Sequence, residues 1–241
     1  MNIRKHILFE NESFIAVNKP AGLLTIPDRY NQTIPSLSRL LEPKQGKIYT
    51  VHRLDKDTSG VILFAKNAST HKFLSQKFQN REIDKFYKGL VVGRIWEEEG
   101  TIDSPIVAQS SKGGKMRTAK KGMEALTKYS VENTFGLYTL LRLQLLTGRT
   151  HQIRVHLQSI GHPIVMDHLY GSAEPFYLSS IKRKYRVGRF QEEERPLMSR
   201  QALHASEIRF TDEKGQKHEI IAPLPKDFKA VLYQLKKNIT D

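Results

Sequence analysis

His52-Arg53-Leu54-Asp55-Lys56-Asp57-Thr58-Ser59-Gly60-Val61-Ile62-Leu63-Phe64-Ala65-Lys66 is the stretch on which the reading of this chain turns. Its first half is charged and polar. Its second half, Val61 to Ala65, is an unbroken apolar run. A run that short suits a buried strand rather than a helix. Thr58, Ser59 and Gly60 form the joint. The pattern predicts a loop carrying Arg53, Asp55 and Asp57, anchored by a strand rooted in the core. Acidic and basic groups on a loop with a rigid anchor make a candidate reactive site. A surface cluster of ion pairs would look the same, and pattern alone leaves both readings open.

The whole composition narrows the field. At 241 residues the chain is long enough for one large domain or two small ones. Hydrophobic residues at 39% and charged residues at 27% make a globular balance, not a disordered one. Lys plus Arg is 39 against 25 Asp plus Glu, a net charge of +14. Such an excess points to a polyanionic partner, nucleic acid before an anionic membrane. Cysteine is absent, which excludes disulfides, Cys-based zinc sites and Cys nucleophiles. No apolar run approaches the roughly 20 residues that span a bilayer. The first residues lack a signal-peptide core, so a cytoplasmic protein is expected.

Working outward, 13–19 reads as a buried strand stopped by Pro20, with Gly22 permitting a turn. A short helix is predicted over 36–41, burying Leu37, Leu40 and Leu41. Asn67 is a suitable N-cap for a helix to about residue 80, with Phe73, Leu74 and Phe78 at helical spacing. A strand follows over 85–92, then a turn with an acidic cluster over 96–103. Residues 125–131 and 138–146 read as paired strands around a turn at 132–136. A short helix carries Ile153, Leu157 and Ile160 on one face and ends at Gly161 and Pro163. Gly148 should bend its entry and put Arg149 at the strand-to-helix corner. Residues 173–201 lack periodicity and read as a long loop or insertion. A closing hairpin over 203–210 and 218–221 precedes a terminal helix from 226, burying Phe228, Val231, Leu232 and Leu235. No repeat or linker is evident, so one continuous α+β domain over 1–241 is expected, with two lobes admitted.

Most chemistry-bearing motifs are missing. Nine histidines are present, but His151 and His156 are five apart and share no helical face. No His-Glu-x-x-His, P-loop or Gly-x-Ser-x-Gly motif occurs, so no metal site is expected. Residues 112–121 hold Lys112, Lys115, Arg117, Lys120 and Lys121 with no acid. This is either a solvated basic loop or one that orders on phosphate. What survives is a carboxylate beside arginine in a basic protein.

These residues resemble a known family. His52-Arg53-Leu54-Asp55, followed by Thr58-Ser59-Gly60 and Leu63-Phe64-Ala65-Lys66, is similar to the signature of the RluA-type RNA pseudouridine synthases. Asn18-Lys19-Pro20-Ala21-Gly22-Leu23 resembles the family's first motif. Lys85-Phe86-Tyr87 resembles the strand bearing its tyrosine, and Thr147-Gly148-Arg149-Thr150-His151-Gln152-Ile153-Arg154 its third motif. Asp167-His168-Leu169-Tyr170-Gly171, Leu203-His204-Ala205 and Ala222-Pro223-Leu224-Pro225 resemble later segments. The resemblance covers nearly the whole chain, in family order.

The resemblance implies a mixed, mostly antiparallel central sheet flanked by helices and loops, with a cleft along it. It implies a uridine in ribosomal or transfer RNA flipped into a pocket and isomerised. The N1–C1′ bond breaks, the base turns, and C5 is rejoined to C1′, with no cofactor or metal. Asp55 becomes the catalytic carboxylate; attack at C1′, addition at C6 and proton removal from C2′ all remain open. Arg149 matches the arginine that pairs with it, and Tyr87 the tyrosine that lies against the base. Arg53, His52, Lys19, Arg154 and the basic residues of 112–121 are the expected RNA contacts. Many relatives carry an N-terminal S4 module. None is expected here, so RNA docking falls to the catalytic domain or an assembly partner. A monomer is the default. The competing function is an RNA-binding assembly factor on the same fold without turnover.

Overall fold

A computed structural model describes residues 2–109, 114–186 and 193–239. After a 3-10 turn (Ile3–His6) the elements are β1 (Ile7–Glu10), β2 (Phe14–Lys19), α1 (Leu37–Gln45), β3 (Tyr49–Thr50), β4 (Ser59–Ala65) and α2 (Ala68–Gln79). Then come β5 (Asp84–Val92), β6 (Glu99–Asp103), β7 (Ile106–Ala108), β8 (Met116–Thr118), β9 (Leu126–Phe135) and β10 (Tyr138–Leu145). The last are α3 (Gln152–Ser159), β11 (Leu203–Thr211), β12 (Lys217–Ile221) and α4 (Lys226–Asn238). The architecture is α+β with mixed, mostly antiparallel strands. No helix among the described residues is long and apolar enough to cross a membrane.

The chain forms two compact units, Met1–Tyr87 with His204–Pro223, and Lys88–Leu203 with Leu224–Asp241. In the first, β4 is the core strand, and all seven of its residues are buried. It lies between β2, antiparallel, and β11, parallel, while β3 pairs beside Phe64 and Ala65. Apolar side chains on both faces explain why the run 61–65 does not alternate. Each fully buried Val, Leu, Ile or Phe contributes about 1.5–3 kcal/mol. Helix α2 starts where expected: the Asn67 side chain accepts the Thr70 amide. Leu74 is buried, whereas Phe73 and Phe78 are half-buried. β11 and β12 form the expected hairpin. Phe14 and Phe210 close on the His218 ring at 5.0 and 5.2 Å.

Gly60 sets how close β4 and β11 can come. Its φ is +118°, and a Cβ there would stand 2.1 Å from the Ala205 carbonyl oxygen. Only glycine satisfies both the backbone angle and the space.

In the second unit the strand order is β5-β10-β9-β6. The long hairpin β9–β10 keeps pairing through Phe135, so the turn is at Gly136 and Leu137, not 132–136. Glu132 is the extra residue of a bulge, because the register steps from Leu140–Asn133 to Leu141–Val131. That extra residue and the polar Ser130, Asn133 and Thr134 around it hide the strand in the sequence. Two further expectations change. The acidic 96–103 stretch ends in a strand, as β6 pairs with β9. Part of the basic 112–121 loop is β8, paired with β7. Residues 173–186 and 193–201 form no helix or strand beyond a bridge between Phe176 and Met198.

Helix ends also shift. α1 runs past Pro43 to Gln45, and Leu40 is only half-buried. α3 is buried from Gln152 through Leu157, while Ile160, beyond its end, is 38% exposed. Leu232 of α4 is half-buried beside the buried Phe228, Val231 and Leu235.

Gly60→Ala should cost about 2–4 kcal/mol, because the methyl collides with main chain and the residue is forced to a disfavoured φ. A urea midpoint within error of the parent would contradict this account of the β4–β11 contact.

Candidate active site

The loop between β3 and β4 carries Arg53 and Asp55, and it is held down by two side chains from outside it, Lys19 and Thr25, and by its own His52. Lys19 ends β2, and Pro20 forbids further pairing. Its ammonium, fully buried, donates to the carbonyls of Pro20, Leu23 and Lys56 at 3.0, 2.7 and 2.8 Å. Thr25 Oγ1 donates to the Leu54 carbonyl at 2.9 Å and accepts its amide at 3.2 Å. His52 Nε2 accepts the Leu63 amide of β4 at 3.0 Å, and its ring stacks on Phe78 of α2 at 4.5 Å. The Gly22 amide reaches the Lys56 carbonyl, and the Thr58 amide closes a turn on the Asp55 carbonyl. Backbone on both sides of Asp55 is thereby fixed.

Tyr87 sits on β5 with its side chain buried. Burial first, and the Asp55 charge second, push its phenol above the usual range. The two groups are therefore close enough to feel each other electrostatically, and the tyrosine stays protonated through neutral pH. Lys85, two residues earlier, is held below the usual lysine range by burial. Beneath the loop Ser59 Oγ meets His204 Nδ1 at 2.9 Å, and His204 Nε2 meets the Ala222 carbonyl at 3.1 Å. A carbonyl can only accept. Nε2 therefore carries the proton and Ser59 donates to Nδ1.

Arg149 belongs to the other unit and stands at the expected corner before α3. Its Nε donates to the Glu124 carbonyl at 2.9 Å and its amide to Gln152 Oε1 at 3.0 Å. Gln152 is 2% exposed. Its Oε1 also takes the Thr147 hydroxyl at 2.7 Å, and its Nε2 donates to the Leu126 carbonyl and Thr127 Oγ1, both at 3.0 Å. Thr127 Oγ1 lies 2.9 Å from His156 Nδ1, whose Nε2 reaches the Ser104 carbonyl at 2.9 Å. Burial holds His156 below the usual histidine range. This buried polar chain fixes the Arg149 backbone, and the sequence reading missed it. Its signal was present: Gln152 and His156 stand one helical turn apart, interspersed with the apolar Ile153, Val155 and Leu157.

The expected RNA contacts divide. Arg53, Arg117, Lys120 and Lys121 are exposed, and Lys115 is half-buried with its ammonium 5.4 Å from the Tyr170 ring centre. Lys112 lies outside the described residues. Three others have partners within the fold. Lys19 is fully buried and spends its ammonium on main-chain carbonyls. Arg154, 7% exposed, makes a two-point pair with Asp167 at 2.7 and 2.8 Å. His52 is committed to Leu63 and Phe78. Each secures the fold around the site. The sequence could not separate these from surface cations, because burial is not encoded in residue type.

His52 supplies a pH test. Desolvation first, then the Lys85 charge, lower its pKa from 6.5 to about 3. A depressed folded-state value means stability present above pH 6.5 and lost as pH falls toward 3. The unfolded chain takes up a proton that the folded chain refuses. The slope from this group is at most about 1.4 kcal/mol per pH unit. His52→Gln should flatten the acid limb of urea-derived stability between pH 6 and 4. An identical limb in parent and variant would remove His52 from the account.

Comparison with known proteins gives the family. Residues 13–159 match the family described as RNA pseudouridylate synthase. The chain is 36% identical to the uncharacterized RNA pseudouridine synthase YhcT of Bacillus subtilis, covering 92% of this chain and 70% of that protein. It is also 36% identical to ribosomal large subunit pseudouridine synthase D of Nitrosomonas europaea, covering 95% and 65%. Among solved structures, human RNA pseudouridylate synthase domain containing 1 superposes with a TM-score of 0.68 at 28% identity, over 91% of this chain and 83% of that one. Its domain containing 4 counterpart gives 0.73 at 24% identity, over 97% and 94%, and shows the shared fold. The chain belongs to the RNA pseudouridylate synthase family, of the RluA type, and is an RNA pseudouridine synthase, an isomerase.

Proposed function

We propose that Asp55 is the carboxylate of the isomerisation, with Tyr87 and Arg149 as its catalytic companions in one domain over 1–241. What supports this is geometric: the backbone on both sides of Asp55 is pinned by Lys19, Thr25 and His52, and Tyr87 is buried, with the Asp55 charge adding to the burial that raises its phenol. A charge that must act at a sugar or base carbon is most effective when it need not reorganise during the reaction. Tyr87 presents an aromatic face for the extruded uracil. Arg149 contributes a planar guanidinium whose backbone is locked by Gln152. Which bond Asp55 makes first is left among the three chemistries named above.

The substrate is RNA, and large-subunit ribosomal RNA is the first to test, since relatives at 36% identity carry that designation. Transfer RNA is the second. Arg53, Arg117, Lys120 and Lys121 take phosphates, and 173–201 contributes to choosing the target. The protein works in the cytoplasm as a monomer, without metal or cofactor.

Asp55→Asn keeps the shape and removes the charge. Turnover on a large-subunit transcript should fall by about a thousandfold or more, with RNA affinity within about threefold. Retained turnover would remove Asp55 from the chemistry.

The joint variant Arg117→Gln, Lys120→Gln, Lys121→Gln should lower the slope of log affinity against log salt by about 2. An unchanged slope would place the phosphate contacts elsewhere.

A further inference from the structure

Two residues at the Arg149 corner are not yet used. His151 immediately precedes α3 with φ +55° and ψ 20°, a left-handed conformation that non-glycine residues rarely hold. Its side chain makes no cap to the helix. Instead its Nδ1 lies 2.9 Å from the Tyr170 hydroxyl. That hydroxyl also accepts the Met116 amide at 2.8 Å, so one oxygen joins the two residues. Tyr170 is 6% exposed and packs with Met116 and Val155 in one buried cluster. Its position is set by Asp167, whose Oδ1 accepts the Tyr170 amide at 3.2 Å while the same carboxylate holds Arg154. One phenolic oxygen thus fastens the basic strand β8 to the residue that turns the chain into α3.

We propose that His151 and Tyr170 are positioning residues for Arg149, holding its corner from outside as Gln152 holds it from within. The inference rests on the reading of Arg149 as part of the reaction. The left-handed residue lies two positions after Arg149. The Gln152 amide bonds the Arg149 carbonyl, and the Val155 amide the His151 carbonyl. Releasing His151 from Tyr170 lets φ relax, and the Arg149 carbonyl moves with it. Removing the Tyr170 hydroxyl also takes the side-chain partner from the Met116 amide at the start of β8.

Four proteins test this: the parent, Tyr170→Phe, His151→Ala and His151→Asn. Tyr170→Phe keeps the ring and removes only the oxygen. Asparagine tolerates the left-handed region and can accept from the Tyr170 hydroxyl; alanine does neither well. Amide hydrogen exchange on the intact chain without RNA is the first measurement. In Tyr170→Phe, Met116 and residues 149–152 should exchange about tenfold faster, while 155–157 keep their protection. Kinetics on a large-subunit ribosomal RNA transcript is the second. Tyr170→Phe and His151→Ala should lower kcat about tenfold with KM within about twofold, and His151→Asn should stay within about threefold of the parent. Unchanged exchange at 149–152 in both Tyr170→Phe and His151→Ala overturns the proposal. So does His151→Asn as impaired as His151→Ala, which would put the imidazole on the substrate itself. If the parent converts no uridine, the functional reading fails, and the exchange data still decide the positioning.

Discussion

A lysine ammonium inside the first unit, surrounded by three main-chain carbonyls, is the interaction on which the site depends. A buried charge is tolerated only when hydrogen bonds replace its water. Lys19 achieves this with Pro20, Leu23 and Lys56. Two of those carbonyls flank the turn after β2, and the third lies directly after Asp55. The strand end, the turn and the loop carrying Asp55 therefore cannot move independently. Breaking any one contact leaves a charged group short of partners, so the arrangement holds as a set.

The same logic recurs in the second unit with neutral groups. Gln152, Thr147, Thr127 and His156 form a chain in which every donor faces an acceptor. None of these side chains is exposed to solvent. Their value is geometric. A fully satisfied polar network permits one arrangement of the backbone, whereas apolar packing permits several. Reaction at a sugar carbon demands such definition, since misplacement by about 1 Å can cost two orders of magnitude in rate. The segments carrying Asp55 and Arg149 are both loops fastened by buried hydrogen bonds to rigid strands and helices, which removes much of a loop's flexibility.

Much of this was legible in the residues. The apolar run 61–65 gave β4, Asn67 gave the start of α2, and Gly148 with Pro163 bracketed α3. These features depend on neighbours within a few residues. The misplaced ones depend on distant partners. β6 exists because β9 offers it an edge, although its sequence is acidic. β8 lies inside a run of cations because β7 pairs with it. Glu132 looked like a turn residue and proved to be a bulge in a longer strand. At the site, the resemblance located the segments carrying Asp55, Tyr87 and Arg149. It could not say that Lys19, His52 and Arg154 are structural, because a cation reads the same whether it faces water or a carbonyl.

The sequence by itself determined the class of protein: its α+β alternation, its basic charge, and the ordered motifs that place it in its family. Those follow from local periodicity and residue identity. Only the tertiary structure decided which polar groups are buried and what they hold. A hydrogen bond between residues 19 and 56, or 151 and 170, depends on chain reversals that no short window contains. Burial is a property of the folded surroundings, so the division of cations between exposed and buried appeared only when the chain closed on itself.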